Sequence, residues 1–424
     1  MHKLIKLLSS KLKISELIIL NISYLYVLKF FELLFPLLVM LYVVRILDVG
    51  TYGLLALGAS LSNYFGILIN FGFSISGTQE VATSQHDKTH LNILINEVMS
   101  LKLLLASFLI PVFLIIINTF SFFRAEALFY SLFILVIIVQ IVSPVWIWAG
   151  LEKMKWVAVY GFIGKLLSLV LIIIFVKSKS DYLLIPILSY FPDIVLGVVG
   201  LVHIFVGEKL TRVRMTVSNF KHRAFSSFSI FAVDMLMSLQ ATNTVVLLGF
   251  VTNPMVVGYY VAVDKIIRTV TFLFSPILAS LFPRISIRAE QSHSGSRLLI
   301  QKLVFVMTLI LLPICVILAI FAPMIMEVLF GVRYLESILL LRVLSLWPLF
   351  NVLFGIYLIH GIVALGKKRE ILKITLLLFI THLLLIIPIV YVFGIIGLTL
   401  FVVIFEAMSL YIIKLQYERL SVQL

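Results

Sequence analysis

Residues 157–206 read VAVYGFIGKLLSLVLIIIFV (157–176), KSKSDY (177–182) and LLIPILSYFPDIVLGVVGLVHIFV (183–206). Each long segment is apolar over roughly the 20 residues that an α-helix needs to cross the hydrocarbon of a bilayer, at about 1.5 Å of rise per residue. The two segments therefore predict consecutive membrane-spanning helices joined by a short polar connection. Each of them carries a charged residue far from its ends, Lys165 and Asp193.

The whole chain has the composition of these segments. Its 424 residues are 62% hydrophobic and 12% charged, and the mean hydropathy is +1.20. A soluble domain is roughly 45–50% apolar and about 25% charged. The composition therefore excludes a soluble globular protein.

Apolar runs of spanning length recur along the sequence and predict an all-α integral membrane fold with about twelve transmembrane helices. Gly394 and Gly397 predict a turn between the last two. The predicted spans are 17–44, 52–74, 94–117, 126–150, 157–176, 183–206, 228–251, 257–282, 299–322, 338–361, 371–393 and 395–415.

The most basic connection, 207–227, follows the sixth span and predicts a joint between two six-helix lobes. The expected organisation is an N-terminal lobe at 1–206, this cytoplasmic connection, and a C-terminal lobe at 228–424. The N-terminal lobe begins with a predicted interfacial helix, MHKLIKLLSSKLK, whose leucines share one face. A short internal similarity supports the repeat: VGTYG at 49–53 opens the second helix of one lobe, and VGYY at 257–260 opens that of the other.

The basic excess sets orientation. The chain has 33 Lys and Arg against 19 Asp and Glu, a net charge of +14. With twelve spans, the termini and the even-numbered connections share a side that holds 20 Lys and Arg, against 5 on the other. Basic residues in short loops mark the cytoplasmic face, so both termini are expected in the cytoplasm of a multi-pass inner-membrane protein. No compact basic domain remains to bind nucleic acid.

The sequence offers little for enzymatic chemistry. The connections are short, leaving no room for a soluble catalytic domain, and no phosphate-binding loop or catalytic triad motif occurs. The single cysteine, Cys315, lies in a span, and the histidines are scattered, so neither a disulfide framework nor a metal site is predicted. We expect no cofactor and no enzyme activity.

Charged residues inside the spans are the informative exceptions, because each costs about 2.5–3.5 kcal/mol at a helix centre. Two interpretations stay open: structural ion pairs between helices, or a hydrated, net-basic cavity for an anionic substrate such as a phosphate-bearing molecule. Lys29 and Glu32 are three residues apart on one face, and Asp264 and Arg268 are four apart. The deep charges are Lys29, Glu32, Lys165, Asp193, Asp264, Lys265, Arg268 and Glu406.

Four segments resemble the bacterial polysaccharide-repeat flippases of the Wzx type, within the multidrug/oligosaccharidyl-lipid/polysaccharide exporter superfamily. The first begins at Leu34 and contains Pro36, Arg-Ile-Leu at 45–47, Tyr52-Gly53 and Phe71-Gly72, followed by Glu80 to Ala82. The others lie at 146–182, 257–286 and 321–351. The resemblance covers nearly the whole chain in register with the twelve spans.

This resemblance implies two six-helix bundles around a V-shaped central cavity that opens alternately to each side. It implies export of an undecaprenyl-pyrophosphate-linked O-antigen repeat unit to the periplasmic leaflet, with membrane lipids as surroundings and contacts to the polysaccharide polymerase and chain-length regulator. The hypothesis assigns pyrophosphate binding to basic residues and ion or proton coupling to carboxylates. The binding candidates are Lys29, Arg45, Lys265 and Arg268, and the coupling candidates are Glu32, Asp234 and Asp264.

Two alternative functions fit the sequence less well. A drug or small-cation exporter of the same superfamily should have a net acidic cavity, whereas the deep set here has as many basic as acidic members. A membrane-embedded polysaccharide polymerase needs a sizeable periplasmic loop, and the longest outward connection here, 323–337, has about 15 residues.

Overall fold

The computed structural model describes residues 16–211, 213, 227, 228, 231, 232, 235, 236, 238, 239, 243–291, 293–365 and 368–422. Helix dominates this part of the chain, and no strand occurs in it. The predicted interfacial helix at 1–13, most of the connection 207–227 and a third of the span 228–251 lie outside the described residues.

The described residues 16–211 form ten α-helices. They are α1 Glu16–Ile46, α2 Val49–Asn70, α3 Ser76–Ser84, α4 Lys88–Thr119, α5 Ser121–Arg124, α6 Ala127–Ser131, α7 Ile134–Val142, α8 Val145–Gly150, α9 Met154–Phe175 and α10 Leu184–Gly207, with a 3-10 turn at Lys179–Leu183 before the last.

In the second half, residues 243–251 are helical. The later helices are α11 Pro254–Gln291, α12 His293–Ile320, α13 Ala322–Phe330, α14 Ile338–Leu344, α15 Trp347–Gly355 and α16 Lys368–Val422. A 3-10 segment at Val332–Ser337 precedes α14, and a π-helical segment at Ile356–Val363 follows α15.

Helix lengths and lipid-facing surface both fit a membrane. Among the described residues, seven helices are long and apolar enough to cross a bilayer, or eight if the bent pair 332–344 and 347–363 forms one span. Large apolar side chains are widely exposed, with Phe108, Phe305 and Leu384 each more than 60% accessible. Water would disfavour such a surface, whereas lipid accepts it. The predicted all-α membrane fold is confirmed, and the count of twelve spans stays a prediction.

Two predicted spans end or break where the backbone chemistry requires it. The span predicted at 52–74 ends at Asn70, because Phe71 (φ 46°) and Gly72 (φ 73°) take left-handed conformations that stop a helix. Gly394 (φ 62°) interrupts α16 at the predicted turn, a conformation that glycine adopts without steric cost. Gly397 stays helical instead.

The chain forms two compact units. Unit 1 comprises residues 1–47 and 58–239, and unit 2 comprises 48–57 and 240–424. The first residues of α2 thus belong with the second half of the chain. The expected lobe limits, 1–206 and 228–424, stay a prediction.

Inside unit 2 the two similar motifs meet. A Cβ added to Gly53 would lie 1.8 Å from the carbonyl oxygen of Pro254, and one added to Gly258 would lie 2.1 Å from that of Val49. Only glycine allows the start of α2 and the start of α11 to approach this closely. The buried ring of Tyr334 packs beside this crossing.

Candidate functional site

A polar cluster lies in the interior of unit 2. On α11, the Nε of Arg268 donates to Oδ2 of Asp264 at 2.6 Å, and the two side chains are 26% and 18% exposed. The ammonium group of Lys265 interacts electrostatically with both Asp264 and Arg268. The spacing of four residues places Asp264 and Arg268 on one helix face, so the pair forms within a single element.

Two further helices complete the cluster. The guanidinium of Arg268 lies over the Trp347 ring of α15, 5.5 Å from its centroid. The amide of Asn351, one turn later, donates to Oε1 of Glu406 on α16 at 2.8 Å. Trp347 and Arg268 also interact with the Glu406 carboxylate. Arg268 is therefore held by one carboxylate from its own helix, one from α16 and an aromatic face.

Unit 1 has an ion pair of its own. Nζ of Lys165 on α9 lies 2.5 Å from Oδ2 of Asp193 on α10. A Cβ on Gly164 would lie 2.5 Å from Oδ1 of Asp193, so the missing side chain of this glycine makes room for the carboxylate. This pair joins α9 and α10, which correspond to the consecutive spans predicted at 157–176 and 183–206.

Lys102 on α4 is the most buried charged side chain in the described part of the chain, at 1% exposure. Its Nζ donates to the carbonyl oxygen of Gln140 at 3.1 Å and lies 5.9 Å from the Trp146 ring centroid. In a continuous helix that carbonyl would accept the N–H of residue 144, but Pro144 has none. The lysine therefore satisfies an acceptor that the proline leaves unpaired.

The structure brings together some predicted site residues and not others. Asp264, Lys265 and Arg268 are adjacent in unit 2. Glu32 and Arg45 lie on α1 in unit 1 and are exposed. The side chain of Lys29, also on α1, and the whole of Asp234 lie outside the described part of the chain.

Sequence reasoning missed Trp347, Asn351 and Glu406 as members of the cluster. Glu406 had a signal, because it is a deep charge in an apolar helix. Trp347 and Asn351 had a weaker signal, since their spacing of four residues puts an aromatic and an amide on one helix face. For the pairing of Lys165 with Asp193, the only signal in the sequence was that the two residues have opposite charges and lie on consecutive predicted helices.

The arrangement is that of a transporter. No group of three or more His, Cys, Asp or Glu that could hold a metal ion occurs among the described residues. Asp264 pairs with Arg268, and Lys165 pairs with Asp193, inside apolar helices, and the basic side chains of both pairs are partly exposed. Such charges at membrane depth typically line substrate or ion pathways. The fold and its charged clusters thus define a multi-pass helical membrane transporter.

Comparison with known proteins shows the family. The family model described as "Polysaccharide biosynthesis protein" matches residues 18–289, and the chain belongs to this family. A relative from Escherichia coli (strain K12), named "Putative O-antigen transporter", is 26% identical over 381 residues, covering 89% of this chain and 91% of the relative. The prediction of membership in this exporter superfamily is confirmed, and family and relative indicate a transporter rather than an enzyme.

Solved structures show the same fold. An inward-facing multidrug resistance MATE family transporter of the MOP superfamily has a TM-score of 0.74 at 15% identity, covering 92% of this chain and 94% of that one. The lipid II flippase MurJ, in an inward closed conformation, has a TM-score of 0.69 at 13% identity, covering 94% and 87%. At this identity the likeness concerns the fold alone.

Proposed function

We propose that this protein is a flippase for undecaprenyl-pyrophosphate-linked O-antigen repeat units. It moves them from the cytoplasmic to the periplasmic leaflet of the bacterial inner membrane by alternating access. The family, the name of the Escherichia coli relative and the likeness in fold to a lipid II flippase support this function.

The observation that carries the proposal is the setting of Arg268. Its guanidinium is fixed by Asp264 and Trp347 inside an apolar unit, yet a quarter of the side chain remains exposed. A guanidinium presents paired N–H donors that match two phosphate oxygens, and it stays charged when desolvated. Arg268 is thus suited to hold a pyrophosphate, with Lys265 beside it. Lys29 and Arg45, in unit 1, stay binding candidates from the sequence alone.

The carboxylates supply a means of release. Asp264 holds the Arg268 guanidinium and therefore competes with an anionic substrate for it. A coupling ion that binds Asp264 would weaken this competition and so change the affinity for the head group. Glu32 and Asp234 are the other coupling candidates.

Replacing Arg268 by alanine tests the function. We expect Arg268→Ala to reduce repeat-unit export about tenfold or more, because a charge-assisted contact to phosphate contributes about 1.5–3 kcal/mol. Arg268→Lys should retain part of the activity, since it keeps the charge without the planar donor pair. The matched control is Lys373→Ala, which removes an exposed lysine that pairs with Glu370 of its own helix.

Surface polysaccharide and lipid-linked repeat units on the cytoplasmic leaflet are measured at native expression, with protein level checked by immunoblot. Normal surface polysaccharide from cells carrying Arg268→Ala would overturn the proposal. Raised drug sensitivity in the same variant, with export intact, would instead favour a small-molecule exporter.

The proposal includes an orientation and two neighbours. Both termini face the cytoplasm, as the basic connections predict. The polysaccharide polymerase and the chain-length regulator of the pathway are the expected protein contacts, and co-purification after cross-linking in cells tests them.

A further inference from the structure

A small aromatic cavity lies within unit 1, away from the charged clusters described above. It is formed where α9 begins and α10 ends, and it has a volume of about 100 Å³. Trp148 and Trp156 line it together with His203, and Lys153 and Glu208 stand at its edge. Neither the proposed pyrophosphate contacts nor the coupling carboxylates belong to it.

Ring contacts fix the walls of the cavity. The buried Trp148 stacks on Tyr160 at 4.9 Å between centroids, with an interplanar angle of 14°. Trp156 meets His203 edge to face at 4.5 Å, and the Tyr160 hydroxyl is 3.2 Å from Nδ1 of His203. The partly exposed Trp156 and His203 are thus held in place by partners on both helices.

An ion pair between Lys153 and Glu208 bridges the two chain segments at the edge of the cavity. The residue before Lys153, Glu152 (φ 56°), and the residue after Glu208, Lys209 (φ 55°), both take the left-handed conformation. Such a conformation is unfavourable for residues other than glycine and persists only where the surroundings impose it. The chain just after Lys209 is held by the Asn92 side chain, whose Oδ1 accepts the N–H of Thr211 at 3.0 Å.

We propose that this cavity binds one sugar through part of its ring, since about 100 Å³ is less than a whole pyranose occupies. The C–H groups on the face of a pyranose carry partial positive charge and pack against the negative face of an indole. The partly exposed Trp156 offers this indole, because Trp148 is buried and stacked on Tyr160, and Lys155 lies over one face of the Trp156 ring.

Lys153 offers donors and Glu208 offers acceptors, so the edge of the cavity can bind hydroxyl groups, which need both. An inorganic phosphate is disfavoured because Glu208 neutralises Lys153 and presents a carboxylate, and a lipid chain is disfavoured by the charged edge.

The source of the sugar rests on the proposed function. In a lipid-linked oligosaccharide the first sugars lie just beyond the head group, outside the hydrocarbon. The cavity lies at the ends of two apolar helices, next to connections that the orientation proposed above places in the cytoplasm. It would therefore hold a sugar of the repeat unit on the side where the substrate is loaded.

Saturation-transfer NMR on the full chain in lipid nanodiscs tests the site. The probes are the methyl glycosides of glucose, galactose, N-acetylglucosamine and rhamnose at millimolar concentration. We expect at least one to receive transfer from the wild type. Trp156→Ala should weaken its binding about two- to tenfold, the range for one aromatic contact, and Trp156→Phe should weaken it less.

Glu208→Gln gives a second variant that keeps the shape of the cavity and removes the carboxylate. We expect it to weaken glycoside binding and to admit inorganic phosphate. The matched control is Lys177→Ala, which removes an exposed lysine at the opposite end of the same helix pair and should leave transfer unchanged.

Several outcomes overturn the sugar site: transfer to none of the four glycosides, equal transfer in wild type and Trp156→Ala, or displacement by inorganic phosphate or dihexanoyl phosphatidylglycerol. The result is separable from the function proposed above, because free glycosides bind without transport. If no glycoside binds but Arg268→Ala still reduces export, only the sugar site is wrong. If a glycoside binds but Arg268→Ala leaves export normal, only the flippase assignment is wrong.

Discussion

At the residue scale, the chain contains charged side chains that are stable in an apolar environment only when an opposite charge pairs with them. Lys165 and Asp193 are on different helices, and each neutralises the other. Removing one partner leaves the other charge without compensation, whereas removing both leaves two neutral side chains. This distinction allows a structural ion pair to be measured.

We expect Lys165→Met to lower the free energy of unfolding by about 3 kcal/mol, the low end for a buried pair. The value is low because the Lys165 side chain is 33% exposed. The double variant Lys165→Met/Asp193→Asn should be more stable than Lys165→Met alone. Thermal unfolding in detergent measures both, and a double variant no more stable than Lys165→Met would contradict the cost assigned to the unpaired Asp193 carboxylate.

The sequence was enough to predict which charged residues lie within apolar helices, but it did not predict which residues they pair with. Lys165, Asp193 and Glu406 stand out because a charge in an apolar run is costly wherever the helix packs. Pairing across helices depends on helix rotation and depth, which are set by packing that one sequence does not reveal. Asp264 with Arg268 is the exception, since both are on one helix and their spacing alone places them in contact.

At the element scale, one predicted span is a chain of short helices. The segment 126–150 comprises α6, α7 and α8, and the break before α8 falls at Ser143 and Pro144. Proline disfavours helical backbone in the residue before it, and Ser143 is extended (ψ 116°). The length and hydropathy of residues 126–150 predicted a membrane span. Pro144 was the feature of the sequence that indicated a break within it.

Lys102 and Pro144 should be energetically coupled. Lys102→Met should destabilise the protein by about 1–3 kcal/mol, because the Gln140 carbonyl then lacks a donor. In a Pro144→Ala background the new N–H can serve that carbonyl, so the same substitution should cost less. Leu103→Met, at an exposed neighbour of Lys102, is the control. Additive losses in a double-mutant cycle of thermal unfolding would contradict the explanation.

The glycine crossing in unit 2 should not tolerate a side chain. Gly258→Ala places a methyl group 2.1 Å from the Val49 carbonyl oxygen, so α2 and α11 must move apart. We expect a clear loss of stability and of export. Gly355→Ala is the matched control, because nothing lies within 4 Å of its added Cβ. It should be neutral or slightly stabilising, as alanine is the better helix former. Equal thermal stability of the two variants would contradict this account.

At the scale of the whole molecule, composition and span length were enough to predict a helical membrane protein, because lipid leaves few alternatives to the helix. The membership of residues 48–57 in unit 2 was not predictable by these means. Hydropathy divides a chain at its loops, whereas compact units are set by contacts. The start of α2 contacts α11 through Val49 and Gly53, and hydropathy carries no signal of this close approach.

The distribution of basic residues makes a prediction about the whole chain that labelling can test. Lys155 and Lys179 are both exposed and flank α9 at opposite ends. The single native cysteine, Cys315, is buried and can be replaced by serine to give a clean background. In intact cells, a membrane-impermeant maleimide should label Lys179→Cys, in a connection predicted to be periplasmic, and spare Lys155→Cys. In permeabilised cells the maleimide should label both variants, because it then reaches both sides of the membrane and both positions are exposed. Labelling of Lys155→Cys in intact cells would show that the orientation is the opposite of the predicted one. It would also remove the loading role of the aromatic cavity, because Lys155 lies beside Trp156.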